Sequence, residues 1–164
     1  MIRIEPAERA ADFDAVRALF LEYVRAPDWE SGFAAYMVQQ AFDAELTALP
    51  GVYAPPGGAL FLAWAGAEPA GCVACKPLEP PEICEMKRLY VRPAARGLGV
   101  AEHLVSRLLQ TARTAGYRRM RLDTLPSMDT AQRLYARFGF YEIPAYCENP
   151  IPGARFLEAD LAKI

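Results

Sequence analysis

The run Arg96-Gly97-Leu98-Gly99-Val100-Ala101 holds the residue types best suited to gripping an anion. It lies between a strand-like segment, Met86–Val91, and an amphipathic segment that starts near Ala101. Two glycines let a ligand approach the main chain closely and accept positive φ where it is needed. A helix opening there leaves its first N–H groups without intrahelical partners and carries partial positive charge at that end. Together these features form a pyrophosphate cradle built mostly from backbone. A plain Gly-rich turn from strand to helix has the same composition. A Walker loop would end in Gly-Lys-Ser/Thr, but Gly99 is followed by Val100 and Ala101, which excludes it. A dinucleotide fingerprint needs Gly or Ala three residues after its second glycine, and Glu102 puts an anion there instead.

The other reactive types point nowhere as specific. Cys72-Val73-Ala74-Cys75 spells C-x-x-C inside the strand-like stretch Ala70–Lys76. Strand alternation sends residues three apart to opposite faces, so a shared metal or disulfide is not expected. No second such pair exists and His103 is the only histidine, so no metal site and no redox centre is read here.

The pattern Arg96-x-x-Gly99-x-Ala101, following Leu89-Tyr90-Val91-Arg92-Pro93, resembles the acyl-CoA-binding motif of the GNAT superfamily of N-acetyltransferases. Leu134-Tyr135-Ala136-Arg137-Phe138-Gly139-Phe140 is similar to that family's second signature, Leu-Tyr-x-x-x-Gly-Phe. The two motifs stand in the family's order, and the resemblance runs from about Ile83 to Tyr146.

The resemblance implies an acetyl-CoA-dependent N-acetyltransferase acting on a primary amine of a small molecule or peptide. It implies a cofactor site formed by Leu89, Tyr90, Val91, Arg96, Gly97, Leu98, Gly99, Val100 and Ala101. In the family one strand splays from its neighbour and lends its freed main chain to the pantetheine arm. By motif position those groups belong to Leu89 and Val91, with the Val91 N–H aimed at the thioester oxygen. Tyr135 takes the place of the general acid facing the thioester sulfur. A phenol near pKa ~10 and a thiol near ~8.5 make that proton transfer mildly uphill. An amine of pKa ~10.4 must also lose a proton. Glu85, where many relatives keep a glutamate, is the candidate base, and an ion-paired glutamate beside Lys87 or Arg88 fits its position equally well. The strand pattern groups Glu85 with Lys87, Leu89 and Val91 on one face. Met128 stands where relatives often carry a cofactor-contacting Asn. Arg133 and Arg137 are candidates for the cofactor's 3′-phosphate. Tyr53, Tyr146 and Asn149 are candidate acceptor contacts. A noncatalytic acyl-CoA-binding module on the same fold is the alternative.

Composition agrees with this reading. The 164 residues make one domain, 1–164, with an ordinary core. Net charge is −2, against a general nucleic-acid binder. Up to Glu82 there are 5 Lys/Arg and 12 Asp/Glu; from Ile83 onward there are 13 and 8. The basic half carries the loop, as a polyanionic cofactor would favour. Met1–Ala10 has no signal-peptide core, and nothing approaches ~20 consecutive apolar residues, so neither export nor a membrane span is expected. Four cysteines fit reduced thiols in the cytoplasm.

The elements that must position these residues follow from periodicity. Ile2–Glu5 reads as a strand, Ala10–Arg25 as a helix, and Phe33–Ala48 as a second helix. Leu60–Ala65, Ala70–Lys76 and Ile83–Val91 read as three strands. A helix to about Ala115 is capped by Gly116, and Tyr117–Thr124 is a strand. Asp129–Phe138 is a helix with Ala131, Leu134, Tyr135 and Phe138 on one face. Phe140–Tyr146 and Ala154–Leu161 complete an α/β (α+β) domain of order β-αα-βββ-α-β-α-ββ. The family implies a mixed, twisted sheet of about seven strands with helices on both faces. The segment 147–153 reads as a rigid loop with no assigned role; closing over an acceptor and seating a second subunit in a homodimer are both open to it.

Overall fold

Alternation along the strands sorts the apolar side chains into two layers, and the computed structural model, which describes all 164 residues, shows what covers each. Strand β1 (Ile2–Pro6) leads into helix α1 (Ala10–Val24), then α2 (Phe33–Gln39) and α3 (Phe42–Ala48). Strands β2 (Ala59–Ala65), β3 (Glu68–Pro77) and β4 (Ile83–Val91) follow. Helix α4 (Val100–Thr114), β5 (Arg119–Thr124), α5 (Asp129–Arg137), β6 (Tyr141–Ile143) and β7 (Arg155–Asp160) complete the chain. The seven strands form one sheet in the order β1-β2-β3-β4-β5-β7-β6.

Leu60, Leu62, Cys72 and Ala74 face one way and pack with Val16, Leu19 and Phe20 of α1 and with the aromatic side chains of α2 and α3. Phe61, Val73, Cys75 and Met120 face the other way, against Val100, Leu104 and Leu108 of α4 and Leu134 of α5. Cys72 and Cys75 therefore sit on opposite faces, as alternation requires. No helix is long and apolar enough to cross a membrane.

The single helix expected over 33–48 is two helices. A continuous helix would place Phe42 opposite Phe33, nine residues earlier, and leave one of them in water. Instead the chain turns at Ala41, which adopts φ 55°, and Phe33, Tyr36 and Phe42 are all buried. The strand expected over 140–146 is shorter, because Pro144 has no N–H to continue a ladder.

One pairing shapes the rest of the molecule. All ladders are antiparallel except β4 with β5, and that one is brief: Ile83–Arg119, Cys84–Met120 and Glu85–Arg121. Beyond Glu85 the two strands part.

Candidate active site

The parting leaves one edge of β4 without a neighbouring strand. Arg92 N–H donates to Ala70 O on β3 at 2.8 Å. Successive main-chain groups of a strand point to opposite edges, so the N–H groups of Val91 and Leu89 face the open side. A bulge sets this parity. Cys72 pairs with Tyr90 but Ala74 pairs with Lys87, so Arg88 and Leu89 together oppose Val73. Arg88 adopts φ 60° there.

The bulge corrects the single face read from alternation. Lys87 and Glu85 share one face, whereas Leu89 and Val91 pack on the other, with the α4 core. The extra residue shifts the alternation by one, and every side chain after it changes sides.

Beside the open edge, the loop after β4 supplies N–H groups. The N–H groups of Gly97, Leu98, Gly99, Val100, Ala101 and Glu102 donate to no carbonyl in the chain, whereas that of Arg96 is used by Pro93 O in a short turn. Gly97 and Gly99 take φ 80° and 76°, which turns this row of donors toward solvent at the head of α4. His103 Nδ1–H donates to Gly99 O at 2.6 Å and fixes the carbonyl that begins the helix. Leu98 exposes its side chain, so only its main chain belongs to the cradle.

Cradle and open edge line one groove of about 590 Å³, running from Arg96 and Gly99 past Val91 and Leu89 to Met128 and α5. Arg133 and Arg137 lie on its wall but are already paired, with Asp129 at 2.6 Å and Glu102 at 2.9 Å. A second cavity of about 590 Å³ opens on the opposite side, walled by Glu45, Tyr53, Glu85, Lys87 and Tyr146.

A narrow space of about 40 Å³ lies at the parting of β4 and β5 and shares walls with both. Leu89 and Met128 are common to it and the groove; Tyr36, Lys87 and Arg88 are common to it and the second cavity. Tyr135 lines this junction, as do Asp123 and Asn149. Burial pushes the Tyr135 phenol well above its usual range, so it stays protonated.

Glu85 is buried, its carboxylate accepting from Tyr146 Oη at 2.5 Å, with Lys87 Nζ at 3.6 Å and Lys76 Nζ at 3.7 Å. It lines the second cavity and not the junction. Asp123 escaped the sequence reading. Its carboxylate accepts from Tyr36 Oη at 2.7 Å and Asn149 Nδ2 at 2.9 Å, with Lys87 Nζ at 3.7 Å. Burial raises its pKa, but Lys87 and these two donors outweigh that and hold it below the ordinary carboxylate value. Tyr53 and Tyr146 wall the second cavity, while Asn149 reaches the junction. No three side chains of metal-ligating type converge.

Residues 15–140 match the model of the acetyltransferase (GNAT) family. The chain belongs to that family. The whole chain is also 37% identical over 163 residues to an uncharacterized N-acetyltransferase of Schizosaccharomyces pombe, covering 99% of this chain and 96% of that one. A GNAT-family acetyltransferase from Staphylococcus aureus superposes with a TM-score of 0.74 at 18% identity, over 98% and 99% of the two chains. The PaiA N-acetyltransferase of Thermoplasma acidophilum, solved in complex with coenzyme A, superposes with a TM-score of 0.73 at 14% identity, over 98% and 99%. This GNAT chain is therefore an enzyme of the acyltransferase class, on the mixed seven-stranded sheet of its family. An amine acceptor follows in general terms from its N-acetyltransferase relatives.

Proposed function

We propose that this enzyme moves the acetyl group of acetyl-CoA to a primary amine of a small molecule or peptide by direct attack. The observation that carries the reading is the junction at the β4–β5 parting, where a groove fit for a polyanionic thioester meets a separate cavity fit for an acceptor. The groove fits the cofactor because six unpaired N–H groups suit a diphosphate and the free edge of β4 suits an amide-bearing arm.

Bound acetyl-CoA supplies the thioester whose acetyl carbon the amine attacks and whose thiolate leaves. Gly97–Glu102 hold the diphosphate, Leu89 and Val91 hold the arm, and the Val91 N–H meets the thioester oxygen. Tyr135 gives its proton to the departing sulfur. Glu85 takes the amine's proton, reached from the acceptor cavity. The 147–153 loop belongs to the acceptor side: Cys147 and Glu148 wall the cavity and Asn149 holds Asp123. Four free thiols fit a reducing cytoplasm.

Calorimetry with acetyl-CoA, followed by thiol release across a panel of amines, amino acids and peptides, tests the proposal. Binding plus acceptor-dependent thiol release is the expected result. No heat from a folded sample overturns it.

A further inference from the structure

Two non-glycine residues in the chain adopt left-handed backbone, Ala41 at φ 55° and Arg88 at φ 60°. Such a conformation is strained for an L side chain and persists only where its surroundings over-determine it. The two meet through one side chain. The Arg88 guanidinium, 4% exposed, donates from Nε to Glu45 Oε2 at 2.9 Å and from Nη2 to Glu45 Oε1 at 3.0 Å. Nη2 also reaches Gln40 Oε1 at 3.1 Å, and the guanidinium lies over the Phe42 ring at 5.5 Å. All three partners come from the turn at Ala41 or the helix just after it. A continuous helix through 33–48 would not present Gln40, Phe42 and Glu45 to one point.

We infer that Arg88 is a positioning residue. Its buried fork with Glu45 holds the β4 bulge, and through the bulge it sets which main-chain groups face the groove. Without the extra residue, alternation would turn the N–H groups of Leu89 and Val91 toward β3 and that of Tyr90 toward the open edge. The cofactor arm would then meet the wrong row of donors. The inference rests on the proposed use of the groove, but the link between clamp and bulge stands apart from it.

The test uses Glu45→Gln, which keeps an acceptor beside Arg88, and Arg88→Gly, which accepts φ 60° without strain but has no clamp. Arg88→Lys keeps the charge and loses the fork. The first readout is amide exchange at Tyr90 and Arg92, whose N–H groups face β3, in the free enzyme. Both clamp variants should quicken it about tenfold more than at amides of β7. The second readout is KM for acetyl-CoA, which should rise roughly tenfold in both clamp variants, with Arg88→Lys in between.

A lowered thermal midpoint with exchange and KM shifted no more than elsewhere overturns the inference and makes the pair a plain structural tie. If the unaltered enzyme binds no acetyl-CoA, the proposed function fails. The exchange result alone then upholds or refutes the clamp.

Discussion

Lys87 and Asp123 face each other across the parting of the sheet, Nζ to Oδ1 at 3.7 Å, with Glu85 at 3.6 Å on the other side of the same ammonium. Two carboxylates thus share one lysine, one at the second cavity and one at the junction. Replacing Glu85 with Gln should lower kcat/KM about 10²-fold and flatten the acidic limb of the rate profile, since a base works only when ionised. Should that limb survive in Glu85→Gln and vanish in Asp123→Asn, Asp123 is the base.

Tyr135→Phe should reduce turnover about 10²-fold while acetyl-CoA affinity stays nearly constant, because the hydroxyl acts on the leaving group only. The phenol is perturbed by burial and distant charges and by no hydrogen bond, so the variant should lose less than about 1 kcal/mol of stability. Steady-state kinetics beside calorimetry and thermal melts check both halves. Unchanged turnover removes Tyr135 from the role.

Gly99→Ala should weaken acetyl-CoA binding roughly tenfold, read by calorimetry. The added methyl would meet the His103 ring at 3.5 Å, an ordinary contact, so space is not the obstacle. The cost is the left-handed backbone at φ 76°, about 1–2 kcal/mol for an L side chain. Relieving it would rotate the row of N–H donors.

Acid should remove the stability that Asp12 gives to the start of α1. The Arg9 side chain, aided by the N–H groups of Arg9 and Glu8 and opposed by burial, holds this carboxyl at about 2. A depressed pKa contributes stability that is full above the ordinary carboxylate value and is lost as pH falls toward about 2. Asp12→Asn should therefore cost about 1 kcal/mol at pH 7, as loss of a helix cap does. The difference from the unaltered chain should close between pH ~4 and ~2 in denaturant melts. A constant difference across that range would contradict it. Asp123, also held low, adds to the same loss.

Much of the framework was legible because it rests on local pattern. β4 has the bounds that its residues suggest, and the glycine cradle opens α4 where the loop composition puts it. The apolar stripe of α5 buries Leu134 and Tyr135 as its spacing requires. What alternation and periodicity missed were the two places where a residue other than glycine turns left-handed, Ala41 and Arg88. No local signal marks them, since the partners that hold Arg88 lie 43 and 48 residues away. Asp123 was missed for the same reason: in a strand of alternating polarity it looks solvated, and its donors Tyr36 and Asn149 are 87 and 26 residues distant.

Three residue pairs join β4 to β5, so the four-stranded and three-stranded halves of the sheet meet along a short seam. A ligand that bridges both banks would act as a stitch. Melting temperature should then climb with ligand concentration by mass action, the fold gaining about 2.7 kcal/mol at a hundred times Kd. Without it, this seam is where thermal breathing should begin.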